Sequence, residues 1–502
     1  LRQASQDLSS DPQGVRVLAD YYTSSGQVDK AKNEFASLAA KYPKNADLQK
    51  AYLRSLIQAH DYANAKNVAD KLMKDNSKDP EISALNGIVL LNEGKAGDAV
   101  NALQSGARDF PQDPFIQYWL GVAALRNGNP SLAQRSFQTV ISLRPQAADA
   151  LDQLAQIAQR QGDMNLLSSV AGKAIQALPN FAGGYVWRAI AEMHQGAPEK
   201  AEADLQTAMK VAPASPQAYF EMGKLRFAQK RYPEGQAQLE KAIQLNPNMI
   251  EPLHLLVVYD LYRKQPAAAF AHINAQIQKS PNNSALFDQL AALQIQQNQL
   301  DQAASTAQKA IQMNPSDPAA VMLSAEIAVR SGKTANAIST WQAWTNAHPN
   351  DANAFALLGT LEDASGNRQA AESSYRRALA IQPQQPIAAN NLAYLILQEG
   401  GDVNVALSLA QTARQAMPNS PDTADTLAWA YYYKGTYQFA RDLLEEALRE
   451  NPNNANMQYH LGMVYAKLLD KSNAAIHLKK AIDLGKGTPT ASSAQSALQG
   501  LG

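Results

Sequence analysis

Apolar residues in this chain follow a helical spacing that breaks and restarts within short segments. In the segment from Pro114 to Ala147, Leu120 and Ala124 lie four residues apart and would share one helix face. Later in the same segment, Phe137 and Val140 lie three residues apart and would share the face of a second helix. The pattern therefore predicts a pair of amphipathic helices joined by a turn.

The helix pair repeats along the chain with a period of 34 residues. Its clearest marker is a proline near the end of each second helix, where the ring blocks further helix. The uninterrupted series is Pro111, Pro145, Pro179, Pro213, Pro247, Pro281, Pro315, Pro349 and Pro383. One extra residue near Gly400 and Gly401 then shifts the series to Pro418 and Pro452. A period of this length predicts an array of small helical units.

A glycine marks the turn between the two helices of most units, because glycine adopts without strain the left-handed backbone that often ends a helix. We expect this conformation at Gly26, Gly94, Gly128, Gly162, Gly196, Gly332, Gly366, Gly401 and Gly435. The matching positions of other units are His60, Lys230, Lys264, Asn298 and Leu469. Each unit is therefore predicted to turn at the same place.

These positions together resemble the tetratricopeptide repeat (TPR) family. The resemblance is clear in Leu358-Gly359, Ala371, Tyr375, Ala378 and Pro383, and again in Leu461-Gly462, Tyr465, Ala474 and Ala481. The family's first alanine position of the second helix holds Ala31, Ala65, Ala99, Ala133, Ala201, Ala269, Ala303, Ala337, Ala371, Ala406, Ala440 and Ala474. The resemblance implies an all-α fold, a right-handed TPR solenoid of about fourteen 34-residue helix-turn-helix repeats whose first helices line a concave side.

The predicted array occupies residues 12–488. Its units begin near residues 12, 46, 80, 114, 148, 182, 216, 250, 284, 318, 352, 386, 421 and 455. Residues 1–11 read as the tail of a preceding repeat helix, so the array would begin in mid-unit. Residues 489–502 would form a closing helix that shields the last unit from water.

Composition narrows the class of function. The chain has 45 Lys and Arg against 45 Asp and Glu, and a surface for nucleic acid would need a net basic stripe. Cysteine is absent, which excludes disulfides and thiolate chemistry. No apolar stretch is long enough to span a bilayer. We therefore expect neither a nucleic-acid partner nor a transmembrane segment in this chain.

The first residue, Leu1, is not methionine, and no leader pattern follows it. This indicates either that a leader or lipid anchor was removed or that the chain is a fragment of a larger protein.

No catalytic, metal or cofactor site is predicted. The seven histidines are scattered, and no His-Glu-x-x-His spacing occurs. His460 and His477 would lie on facing helices of one unit, but the sequence indicates no carboxylate to orient them. The segment 485–488 lacks the strand and glycine spacing of a phosphate loop. We therefore expect a protein that is not an enzyme.

Aromatic residues occupy many first-helix positions that, by the TPR resemblance, face the concave side. They are Tyr118, Trp119, Trp187, Phe220, Phe227, Tyr262, Tyr394, Trp429, Tyr432, Tyr433 and Tyr459, of which the last four cluster in two adjacent units. Such a surface suits apolar or amphipathic protein segments, or sugar rings. The alternative is that these residues simply pack between helices.

Three functions remain open. The first is a protein-interaction scaffold of a bacterial envelope, periplasmic, outer-membrane-associated or secreted. The segments 390–394 and 425–429 resemble TPR proteins of exopolysaccharide secretion and of PEP-CTERM/exosortase systems, which implies polysaccharide-secretion components as partners. The second is a cytoplasmic assembly scaffold or co-chaperone. The third is the TPR arm of a larger enzyme, such as a glycosyltransferase.

Self-assembly is a further expectation, because a mid-unit start leaves open a head-to-tail contact between array ends. The polar closing helix argues against that contact.

Overall fold

The structure is a computed structural model that describes residues 14–75 and 79–501. Within those ranges the protein contains 29 α-helices and no β-strand. The all-α fold predicted from the sequence is therefore confirmed. The tail predicted over residues 1–11 lies outside the described residues.

The chain divides into two compact units, Leu1–Leu256 and Val257–Gly502. The helices of the first unit are α1 (Val17–Ser24), α2 (Val28–Lys41), α3 (Ala46–Gln58), α4 (Tyr62–Asp75), α5 (Pro80–Asn92), α6 (Ala96–Asp109), α7 (Pro114–Arg126), α8 (Pro130–Leu143), α9 (Ala148–Gln161), α10 (Met164–Ala177), α11 (Ala182–His194), α12 (Pro198–Val211), α13 (Pro216–Ala228) and α14 (Tyr232–Leu245). The division between the units falls within α15 (Glu251–Tyr262).

The second unit continues the same alternation of first and second helices. Its helices are α16 (Pro266–Lys279), α17 (Ser284–Gln296), α18 (Leu300–Met313), α19 (Pro318–Arg330), α20 (Thr334–Ala347), α21 (Ala352–Ala364), α22 (Arg368–Ile381), α23 (Pro386–Gln398), α24 (Val403–Ala416), α25 (Pro421–Lys434), α26 (Tyr437–Glu450), α27 (Ala455–Lys467), α28 (Lys471–Leu484) and α29 (Pro489–Gln499).

First helices begin where a polar side chain can replace the missing helical acceptor. The carboxylate of Asp113 accepts hydrogen bonds from the backbone N–H groups of Phe115 (2.9 Å) and Ile116 (3.0 Å). Pro114 takes the first helical position, where no N–H is needed. Asn45, Asp79 and Asn454 cap α3, α5 and α27 in the same way. The start of each of these helices is therefore set locally.

The turn between the helices of a repeat has the expected left-handed backbone, including the units that lack glycine. His60, Lys230, Lys264, Asn298 and Leu469 all have φ between 56° and 65°. One expectation is wrong: the left-handed residue is Gly400 (φ 71°), not Gly401. The inserted residue therefore lies after the turn residue.

Close contact between the two helices of a repeat organises the core. All twelve alanines at the predicted second-helix position are at most 1% exposed. Across from them, a Cβ added at Gly121 would lie 2.7 Å from the Phe137 ring, and one at Gly359 would lie 2.7 Å from the Tyr375 ring. The helices therefore interlock, and each large ring fills the space that a glycine leaves.

The last helix, α29, packs against the final repeat. Ala494 is fully buried against Leu478 and Ala481 of α28. Thr488 caps the helix by accepting a hydrogen bond from the Ala491 N–H. The apolar side of α28 is thereby covered.

Two carboxyl groups meet at the junction between α17 and α19. Asp288, on α17, is 9% exposed, and its Oδ1 atom is buried without a hydrogen-bond partner. Asp317 caps α19 by accepting a hydrogen bond from the Ala319 N–H. Burial, together with the charge and a hydrogen bond of Asp317, raises the pKa of Asp288 to about 6. The folded protein therefore favours the protonated form of Asp288.

The interlocked helices predict opposite effects for two glycine substitutions in the first unit. Gly121→Ala should lower the free energy of unfolding by about 1–3 kcal/mol, because its Cβ collides with Phe137. Gly172→Ala should raise it by about 0.5–1 kcal/mol, since no atom lies within 4 Å and alanine is the better helix former. Urea unfolding measures both effects. Shifts in the same direction would contradict this account of the packing.

The carboxyl pair predicts a pH-dependent gain for Asp288→Asn. Because the pKa of Asp288 is raised in the folded state, wild-type stability should fall as pH rises from about 4 to about 6. The variant lacks this penalty, so near pH 7.5 it should be more stable than the wild type by about 1–3 kcal/mol. Near pH 4 the two should converge.

Thermal unfolding at both pH values checks this prediction. Asp301→Asn is the control because Asp301 is exposed, and it should keep the wild-type pH dependence. The explanation fails if Asp288→Asn keeps it too.

Candidate functional site

Aromatic side chains from three successive first helices meet in the second unit. The helices are α23, α25 and α27, and α25 contacts both of the others. We call the following residues the C-terminal aromatic cluster: Tyr394, Trp429, Tyr432, Tyr433, Tyr459 and His460. The 34-residue period brings the rings together, because it places equivalent positions of adjacent repeats side by side.

Trp429 lies at the centre of this cluster. Its ring stacks on His460 (centroids 3.9 Å apart, planes 19° apart) and on Tyr432 (4.5 Å, 9°). Tyr433 meets the Trp429 ring by its edge, at 5.4 Å and 80°. Positions three and four residues apart share a helix face, so α25 by itself supplies three of these rings.

Two further tyrosines extend the cluster to both sides. Tyr459, on α27, lies 6.1 Å from Trp429, and Tyr394, on α23, lies 6.1 Å from His460. The predicted C-terminal aromatics of the sequence are therefore in mutual contact across three helices.

A buried ion-pair partner fixes the orientation of His460. The Nδ1 atom of His460 lies 2.7 Å from Oδ1 of Asp425, and the two residues are 3% and 8% exposed. A carboxylate only accepts hydrogen bonds, so the imidazole donates from Nδ1. The sequence expectation that no carboxylate orients this histidine is wrong. Asp425 was missed because it lies in the preceding repeat, 35 residues away.

His477 belongs to a different set of contacts. Its Nδ1 atom lies 2.7 Å from Oε1 of Gln458, and its ring stacks on Tyr465 at 5.5 Å. Burial lowers the pKa of His477, and the charge of Lys480 adds to the shift. This histidine therefore packs within its own repeat.

Exposure separates the cluster into a buried base and an accessible edge. Trp429 is only 6% exposed, which corrects the expectation that its ring lines an open surface. Tyr433 is 46% exposed, whereas Tyr394, Tyr432 and Tyr459 are half-buried. A partner would therefore meet the tyrosines, with Trp429 supporting them from below.

The tyrosine hydroxyls keep their protons at neutral pH. Burial and the neighbouring tyrosine hydroxyls raise the pKa of Tyr432 to about 12. Burial also raises the pKa of Tyr459, and burial together with the charge of Asp425 raises the pKa of Tyr394. These three hydroxyls are therefore neutral groups that can donate hydrogen bonds.

The other predicted aromatic residues are not part of this cluster. In the first unit, Trp187 is 6% exposed and packs on Phe181, so the expectation of an accessible ring is wrong there as well. The remaining predicted aromatics of that unit are partly buried: Tyr118 against Phe137, Trp119 against Phe115, Phe220 beside Lys224, and Phe227 against Tyr232.

Tyr262, on α15, is 76% exposed. Its role as a contact for a partner stays a prediction.

Two models of the tetratricopeptide repeat match the sequence. One matches residues 22–87 and 294–361, and the other matches residues 84–133, 118–165, 186–250, 357–421 and 426–489. Together they cover well over half of the chain. The chain belongs to the tetratricopeptide repeat family. TPR proteins are generally non-catalytic scaffolds that bind protein partners, and this general role applies to the present TPR protein.

Individual relatives are more distant. A mouse protein, the interferon-induced protein with tetratricopeptide repeats 3, is 24% identical over 119 residues, which are 23% of this chain and 30% of the relative. The matched segment thus spans less than a third of that relative.

Two solved structures are also similar. The APC/C hetero-tetramer Cut9-Hcn1 matches with a TM-score of 0.48 and 16% identity, covering 99% of this TPR protein and 98% of that chain. A tetratricopeptide repeat protein from Parabacteroides merdae matches with a TM-score of 0.35 and 16% identity, covering 49% and 94%. The family assignment rests on the repeat models.

Two structural features were sought in residues 14–75 and 79–501. No group of three or more His, Asp or Glu side chains there is arranged to hold a metal ion. No helix in that part of the protein is long and apolar enough to cross a membrane.

The buried pair predicts that Asp425→Ala disturbs the ring stack. His460 loses its hydrogen-bond acceptor, so the free energy of unfolding should fall by about 1–3 kcal/mol. The near-UV circular dichroism of the stacked Trp429 should weaken, because His460 is no longer held against it.

Asp422→Ala, on the same helix, is the matched control because Asp422 is exposed. It should cost less than about 1 kcal/mol and leave the spectrum unchanged. Identical spectra for the two variants would disprove the orienting role of Asp425.

Proposed function

We propose that this TPR protein is a non-catalytic scaffold that captures an extended segment of a protein partner on the C-terminal aromatic cluster. The observation that carries the proposal is the pairing of an exposed Tyr433 with a rigid, buried base of Trp429 and His460. Binding hot spots are rich in Tyr and Trp. A surface whose rings are already fixed also loses little side-chain entropy when a partner binds.

The proposed setting is a bacterial envelope or secretion assembly, either periplasmic or associated with the outer membrane. The segments 390–394 and 425–429, whose wording resembles TPR proteins of exopolysaccharide secretion and exosortase systems, support this setting. They also supply Tyr394, Asp425 and Trp429 to the site. The partner would then be a component of a polysaccharide-secretion machine.

A site-specific photo-crosslinking experiment tests the proposed surface. A photoreactive phenylalanine analogue at position 433 should crosslink a discrete partner in native envelope fractions. The same analogue at position 439 is the control, since Phe439 is an exposed ring (64%) on the second helix α26. Crosslinks at 439 with none at 433 would remove the cluster as the binding surface. A partner found only in cytosolic fractions would favour a cytoplasmic scaffold.

Once the partner is identified, Tyr433→Ala should weaken its capture by about 2 kcal/mol, or roughly 30-fold, because the accessible ring is lost. Phe439→Ala should leave the affinity within about twofold. Isothermal titration calorimetry measures both variants, and their thermal midpoints verify that each remains folded. Equal affinities would refute the role of Tyr433.

A further inference from the structure

We propose that the C-terminal aromatic cluster binds an uncharged, proline-rich segment in the polyproline II conformation. The inference rests on the proposed function, because it specifies the partner that the cluster would capture. Its basis is the chemistry of the accessible groups, which are aromatic rings and neutral hydroxyl donors on three adjacent helices.

The shape of the surface suits proline rings. Tyr433 stands edge-on to Trp429, so the two rings form a corner instead of a flat wall. Aromatic-lined surfaces of this kind accept the rigid pyrrolidine rings of polyproline II helices. Such a segment is already extended before binding and loses little conformational entropy.

Hydrogen bonding points to the same ligand. Proline has no backbone N–H, so a proline-rich segment presents mainly carbonyl acceptors. The cluster offers the complementary donors, because the hydroxyls of Tyr432 and Tyr459 remain protonated at neutral pH. A segment with many free N–H groups would find fewer acceptors among these side chains.

The charges of the cluster favour a neutral ligand. The carboxylate of Asp425 is buried and bound to His460. The ammonium group of Lys434, beside Tyr433 in sequence, contacts Oδ1 of Asn404. A charged segment would therefore lose hydration over the rings without gaining a counter-charge.

The periods of ligand and receptor also agree. A polyproline II helix has three residues per turn and advances about 9 Å per turn. Packed helices lie about 8–10 Å apart, and α25 contacts both α23 and α27. Rings on successive first helices, such as Tyr394, Tyr433 and Tyr459, would thus meet every third residue of the segment.

A fluorescently labelled nonaproline peptide, titrated with the full chain, tests this inference by anisotropy. A nine-residue Gly-Ser peptide is the control for length and charge. We expect nonaproline to bind and the Gly-Ser peptide not to bind. Tyr433→Ala should weaken binding at least about tenfold, and Tyr433→Phe, which removes only the hydroxyl, several-fold. Phe439→Ala should match the wild type.

Specific outcomes overturn the inference. Failure of nonaproline to bind at millimolar concentration does so, as does equal binding of the Gly-Ser peptide or indifference to Tyr433→Ala. Binding of cellohexaose that depends on Tyr433, without nonaproline binding, would identify a carbohydrate site instead. If nonaproline fails while a native partner still crosslinks at position 433, only the inference falls. If no partner crosslinks there, the proposed function falls.

Discussion

The close approach of two helices within each repeat is the constraint on which the rest of the structure depends. Gly121 faces Phe137, and Gly359 faces Tyr375, at distances that leave no room for a Cβ. A protein interior is packed as densely as an organic crystal, so each such contact fixes the position of both helices. Because the contact recurs every 34 residues, adjacent first helices are also fixed, and residues far apart in sequence become neighbours.

The fold was predictable because its main signals are local and repeated. Proline and the turn residue mark every helix pair, and even His60 and Leu469 adopt the left-handed backbone that their positions demand. The error at Gly401 has a simple physical origin. Two adjacent glycines both tolerate that backbone, so the sequence cannot tell which of them ends the helix.

The candidate site was predictable only in part. First-helix position was enough to select Trp429 and Tyr433, but it could not separate the buried ring from the exposed one, since exposure depends on neighbours in the next repeat. The contact between Asp425 and His460 was missed for the same reason. Sequence spacing within one repeat is blind to a pair that spans two, and an offset of one period plus one residue was the available signal.

The buried base and the accessible edge of the cluster have different physical duties on a single helix. Trp429, stacked and 6% exposed, contributes to packing, and its loss would disturb the fold. Tyr433, 46% exposed, can change with little cost to folding. A repeat array can therefore keep the ring stack that holds its helices in register while exposed positions beside it change. On this reasoning, specificity for a partner resides in the tyrosines, and the tryptophan–histidine stack supplies the rigidity that makes their contacts count.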